Sequence, residues 1–236
     1  MNIIDIIICA VIGLSLVSGM HKGFFGSTLA LIGFIGSWFA ATRLYEYVTT
    51  AITSNTLVMT TLSSVLSAVS IFPSNIAGRV IDAMSDIEYR EALNLVNIPI
   101  IGKLFENNVV SRAFESINLT TLGDYLTQTL VVSLVNVFSF VVTFAVIYFA
   151  LLLIVNLLGN VFKLPALRHL DWLLGGVFGA VRGVFIIFLV AAMLPTAISI
   201  LASMDVTNVS AMIEESNLAG FFMANNFLTE FIEPLM

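Results

Sequence analysis

The chain has 236 residues, 59% of them hydrophobic and 10% charged, with a mean hydropathy of +1.05 and a net charge of −6. A water-soluble domain averages roughly 45–50% apolar and about 25% charged residues, so this composition excludes a disordered chain, a coiled coil and an ordinary soluble enzyme. Nine Lys+Arg, unclustered, against fifteen Asp+Glu exclude binding to a nucleic-acid phosphate backbone, and Cys9, the single cysteine, cannot staple a fold.

The expected class is an all-α integral membrane protein with about four transmembrane helices in one compact unit. The first apolar run covers 3–20, with Asp5 as its only charge. Its positive pair, His21-Lys22, follows the run instead of preceding it. That order argues for a retained transmembrane helix and against a cleaved signal peptide. Eighteen residues at 1.5 Å each give about 27 Å, enough for a bilayer core. A second run, 24–41, follows immediately, so the two form an N-terminal hairpin (1–41) with a basic tip.

Segment 42–125 has no spanning run of comparable apolarity and is expected to be helical, extracytoplasmic or interfacial. Within it Val58, Leu62, Val65, Val69 and Phe72 share one helix face, and Pro73 ends that helix. Whether 55–72 crosses the bilayer stays open. The pattern then predicts an amphipathic helix over 76–96, and another over 100–117 broken at Asn107-Asn108. Thr121 with Asp124 three residues on fits a capping box.

The third apolar run is 130–158. Thr129, Ser133, Asn136 and Thr143 fall at i, i+4, i+7 and i+14, a small-polar stripe that lipid cannot hydrogen-bond and that should face a helix or water. The fourth run, 172–202, is about 45 Å long if straight; Pro195 should kink it or lean on neighbours. With the third run it forms a C-terminal pair, 126–202. The tail, 203–236, is acidic and weakly amphipathic.

Orientation follows from the short loops. Four crossings place His21-Lys22 and Lys163-Arg168-His169 on one side, the cytoplasm. Both termini then lie outside, with 42–125 long enough to escape the charge rule.

Arg182 stands out as a charge inside a membrane run. It either faces a bundle interior or a water path, or snorkels to mark the boundary. Gly175, Gly179 and Gly183, with Gly176 beside them, form overlapping small-xxx-small steps that let a helix approach closely. Gly19-xxx-Gly23 and Gly33-xxx-Ser37-xxx-Ala41 are matching small faces on the hairpin. These faces pack within the chain or between copies. Asp5 reads as a solvated interfacial carboxylate or a proton or cation site. Lys22 and Asn136 complete the packing or path residues. His169 and Asp171 fall short of the three or four ligands a zinc site needs, no catalytic constellation is present, and no cofactor is expected.

Asn2-Ile3-Ile4-Asp5, Gly19-Met20-His21-Lys22-Gly23-Phe24 and Leu31-Ile32-Gly33-Phe34-Ile35-Gly36 resemble the first hairpin of the colicin V production protein (CvpA) family. Residues 171–183, Asp-Trp-Leu-Leu-Gly-Gly-Val-Phe-Gly-Ala-Val-Arg-Gly, with Pro195 beyond, are similar to that family's glycine-and-arginine signature. Residues 216–228 resemble the tail of its Gram-positive members. His21-Lys22 stands where the family usually has Arg or Lys pairs. The resemblance implies a bacterial inner-membrane protein with about four transmembrane helices. It further implies a non-enzymatic role in colicin V-type toxin production or export, or in envelope homeostasis. Its partners would be the bilayer, envelope or export proteins and other copies of itself, and no nucleic acid. The alternative is a small oligomeric channel or transporter with Arg182 and the small-polar stripe along its path.

Overall fold

The computed structural model describes residues 2–67, 74–95, 99–159, 168–203, 212–213 and 215–228. The elements are α1 (Ile3–Thr53), α2 (Thr56–Ser67), α3 (Ser74–Ala77), α4 (Asp86–Leu95), α5 (Pro99–Val110), α6 (Leu122–Gly159), α7 (Arg168–Ser203) and α8 (Asn217–Ala224). Short 3₁₀ turns lie at Ile81–Ala83 and Glu115–Ile117. Among the described residues the only β pairing is an isolated bridge between Val80 and Thr121. Three helices are long and apolar enough to cross a membrane: Ile3–Thr53, Leu122–Val155 and Leu170–Leu194. α7 runs as helix through Pro195.

α1 is broken once, at Gly23, whose φ of 71° and ψ of 178° are non-helical. The arms 3–22 and 24–53 correspond to the two apolar runs of the sequence. Ser27 Oγ donates to the Gly19 carbonyl across the break at 2.9 Å. In a straight helix residues eight apart are about 12 Å apart along the axis, so the chain turns sharply here. Only glycine adopts this backbone without strain.

Contacts group the chain into two units. Unit 1 comprises Met1–Glu46, Ser139–Ala192 and Ala211–Phe231. Its centre is aromatic: Phe34 meets Phe144 and Tyr148 edge-on, and Trp38 meets Phe140. Unit 2 comprises Tyr47–Phe138, Met193–Ser210 and Ile232–Met236. Its core gathers Leu66, Ala92, Phe105, Val109, Leu122, Tyr125, Leu126, Leu130 and Val131.

Local expectations in unit 2 are corrected in three places. The buried side of α2 is Met59, Leu62 and Leu66, whereas Val58 and Val65 are exposed; Val69, Phe72 and Pro73 lie outside the described residues. Apolar residues flank Leu62 on both sides, so spacing alone left the face ambiguous by a fraction of a turn. The helix expected over 76–96 is three pieces, because Ser85 starts a new one. Its backbone N–H and hydroxyl both reach Glu88 Oε2, at 3.0 and 2.9 Å, a capping box that restarts the helix as α4. α5 runs straight through Asn107-Asn108, and the break falls at residues 111–114 instead. Asn108 turns its amide outward, donating to Thr129 Oγ1 at 3.0 Å. As the Thr121–Asp124 spacing predicts, Asp124 N–H donates to Thr121 Oγ1 at 3.2 Å where α6 begins.

The hydrogen bonds from Ser85, and then the Arg79 guanidinium, hold the Glu88 carboxyl below its ordinary value. A lowered folded-state value contributes stability above the unfolded value and loses it as pH falls through the folded one. The amide protection of 86–95, exchange corrected for its intrinsic pH dependence, should therefore be flat above the ordinary carboxylate range and fall as pH drops beneath it. Glu88→Gln should abolish that dependence.

Candidate functional site

The described residues place most of the sequence-selected positions at one seam in unit 1, between arm 3–22 and α7. A Cβ added to Gly19 would lie 2.2 Å from the Gly175 carbonyl oxygen and 2.8 Å from Gly179 Cα. One added to Gly179 would lie 2.4 Å from the Ser15 carbonyl oxygen, and one on Gly175 would lie 2.5 Å from the Gly19 oxygen. Gly183 faces Ile12 Cα and Ser15 Cβ, both at 3.0 Å. Apart from Ser15 Cβ, these are backbone atoms, which no side-chain rotation can move aside. Gly176 differs, since its neighbour is the flexible Met20 side chain. The second small face of the hairpin is looser: Gly33 would make an ordinary 3.7 Å contact with Leu151.

Polar groups lock the seam. Ser15 Oγ donates to the Gly179 carbonyl at 2.7 Å and accepts from Arg182 Nε at 3.1 Å. Tyr148 on α6 lies near Arg182. Arg182 is 8% exposed, so it faces the interior of unit 1. Lys22, half-buried, is close enough to Arg182 for the two cations to repel each other.

The turn has its own cap. Asp171 Oδ1 accepts from the Phe24 N–H at 2.9 Å, placing a carboxylate at the positive end of arm 24–53. A Cβ on Gly23 would lie 2.2 Å from Asp171 Oδ2. Gly23 is thus fixed twice, by its φ and by this carboxylate.

Asp5 is 3% exposed, not solvated as its position suggested. It accepts from Ser216 Oγ at 2.6 Å, from the Leu218 N–H at 3.1 Å and from the Asn2 N–H at 2.9 Å. Ser216 is also the N-cap of α8, accepting from the Ala219 N–H. Asp5 therefore ties the tail to the first helix, and Asn226 Nδ2 adds a bond to the Phe188 carbonyl at 2.9 Å. Phe227 of the tail lines two apolar cavities of about 450 and 340 Å³, sharing both with Phe185.

The polar stripe divides. In unit 2, Thr129 donates to the Tyr125 carbonyl, and Asn136 Oδ1 accepts from Thr49 Oγ1 at 3.2 Å. In unit 1 the buried hydroxyls of Ser139 and Thr143 have no hydrogen-bond partner among the described residues. Ser15, Tyr148, Asp171 and Ser216 were not among the residues selected from sequence. Their roles depend on contacts far along the chain, and only the Ser216-to-Ala219 offset carries a local signal.

A family model described as colicin V production protein matches residues 4–88 and 109–226. The chain belongs to that family. No curated protein and no solved structure matches it. In this member the family match takes in the whole seam, the Asp171 cap and the Asp5–Ser216 tie.

Gly179→Ala should destabilise the protein in detergent, because Ser15 backbone cannot give way. Gly13→Ala and Gly36→Ala, where a Cβ meets nothing within 4 Å, should be neutral or stabilising by about 0.5–1 kcal/mol as ordinary helix substitutions. Equal losses at all three would count against the seam. Asp5→Asn and Ser216→Ala should each make the tail more protease-sensitive, and in a double-mutant cycle the two should couple by about 0.5–3 kcal/mol. Additive effects would dissolve the tie.

Proposed function

We propose that this colicin V production family member is a four-crossing protein of the bacterial cytoplasmic membrane. Both its termini lie outside, and it acts without catalysis, through protein partners, in toxin production or export or in envelope maintenance. Family membership over most of the chain carries the reading. The break at Gly23 supports the fourth crossing: arms of 20 and 30 residues are about 30 and 45 Å long, each sufficient for a hydrocarbon core. The basic tip, His21-Lys22, supports a cytoplasmic turn.

The polar groups at the seam serve helix packing. Arg182 bonds to Ser15 and Ser15 to the Gly179 carbonyl, Asp171 caps a helix, and Asp5 holds the tail. Each has a structural partner, and none forms a nucleophile–base pair. That arrangement suits a scaffold that positions membrane helices for other proteins. A second reading, a small oligomeric channel or transporter, draws on Ser139 and Thr143. Buried hydroxyls without partners are costly in a membrane interior, and water or a neighbouring copy would satisfy them.

Topology is tested in a Cys9→Ala background with a thiol reagent that cannot cross membranes. Asn225→Cys should be labelled in intact cells and Ala166→Cys should not. The reverse pattern would overturn the orientation. Deletion should alter toxin secretion or envelope sensitivity, and mild-detergent pulldown should recover envelope proteins. Solute flux from liposomes carrying the purified protein would instead favour the channel.

A further inference from the structure

Residues 47–78 contain no charged side chain, and α2 lies among them. Its buried side, Met59, Leu62 and Leu66, packs on the core of unit 2. Its other side exposes Leu57, Val58 and Val65.

The polar groups of this stretch bond to their own backbone. Thr53 Oγ1 donates to the Thr49 carbonyl and Ser54 Oγ to that of Ala51. On α2, Thr60, Thr61 and Ser64 donate to the carbonyls of Thr56, Leu57 and Thr61, each at 2.8 Å. In the turn between α1 and α2, the N–H groups of Ser54 and Asn55 bond back to α1 at 3.0 and 3.1 Å. Asn55 Oδ1 accepts from the Leu57 and Val58 N–H groups, which caps α2. Polar groups satisfied in this way need no water, which is the condition for placing a segment in lipid.

Depth follows from α6, whose 38 residues, 122–159, are about 57 Å long. A bilayer with its headgroups is about 40–45 Å thick and takes about 28 of those residues. Wherever that slab lies along α6, residues 132–149 are inside it. Leu134, Val135 and Phe138 fall in this range. With Ile52 of α1 and Val58 and Leu62 of α2 they line a cavity of about 470 Å³. The start of α2 is therefore level with the bilayer.

The cavity has the size of a ligand pocket, about 300–1,000 Å³. Phe138 and Val58 on its wall are 57% and 38% exposed, so it opens on the flank of α6. Asn55, the polar residue on the wall, has its side-chain oxygen engaged in the cap. A helix from a second copy is about 10–12 Å across and would seat only about one turn here. A flexible hydrocarbon chain fits, and at this level lipid is the surrounding solvent.

We propose that α2 lies in the membrane against the N-terminal half of α6, and that the cavity between them holds an acyl chain of a phospholipid. The site requires that α6 cross the bilayer. It is independent of orientation, of the number of crossings and of whether the protein acts as a scaffold or a channel.

The test uses the full chain in phosphatidylcholine vesicles. In a Cys9→Ala background, Leu57→Cys carries a small fluorophore. Phosphatidylcholine spin-labelled on its acyl chain should quench it strongly, and aqueous iodide weakly. Stronger quenching by iodide would overturn the immersion of α2.

The occupant is read with phosphatidylcholine bearing a diazirine on its acyl chain, irradiated in the same vesicles and mapped by mass spectrometry. Residues 52–62 and 134–138 should be labelled. Val58→Phe, which fills the cavity, should lower that labelling at least fivefold and leave Leu153, exposed elsewhere on α6, labelled as before. Leu134→Phe fills it from the opposite wall and should act alike; Val58→Ala enlarges it and should keep the label. No label on the cavity wall, or labelling that neither filling variant lowers, would overturn the acyl-chain site.

Discussion

Two helix backbones touch where arm 3–22 meets α7, and the rest of unit 1 is arranged around that contact. The approach at Gly19, Gly175 and Gly179 leaves no room for a β-carbon on either side. In lipid there is little hydrophobic gain from bringing two helices together, because the tails are as apolar as leucine. Association rests on close packing and on polar bonds across the contact. Both are present: four glycines remove bulk over two turns, and Ser15 uses the resulting proximity to bond the Gly179 carbonyl directly. Gly23 belongs to the same constraint. The chain turns there within reach of Gly175, so the turn and the seam share backbone atoms.

A helix pair held this closely has no space to hide polar groups, so each must find a partner on a neighbouring element. Asp171, at the start of α7, caps the arm that begins after the turn. Arg182 on α7 bonds to Ser15 on the facing arm. Asp5 reaches the tail. Three charges that look isolated in the sequence are thus joints between segments. Their energetic weight comes from the medium: a bond worth little in water holds firmly where neither partner can turn to solvent.

How much of this could be read in the sequence depends on the range of the interaction. The long apolar runs and the Thr121–Asp124 capping box are local patterns and were legible. So was the glycine spacing at 175, 179 and 183, because one helix face carries it. The Ser85–Glu88 box was equally local, yet reading 76–96 as one amphipathic helix obscured it. Asn107-Asn108 read as a break because asparagine favours turns, but Asn108 found Thr129 across the unit and stayed helical. Asp5 and Asp171 were out of reach. A carboxylate near a helix end reads as solvated unless a partner 211 or 147 residues away is known.

That separation has a consequence in time. Ser216 emerges 211 residues after Asp5, about 10–40 s at ordinary elongation rates. Throughout that interval the carboxylate has only the Asn2 N–H of its own segment. An ionised carboxylate without partners is not stable in hydrocarbon, so it waits in water or takes up a proton until the tail arrives. The contacts of Asp5 are therefore completed only once the tail has been made. A nascent protein stalled before Ser216 exposes an open carboxylate at its Asp5 end, a chemical mark that separates unfinished copies from finished ones.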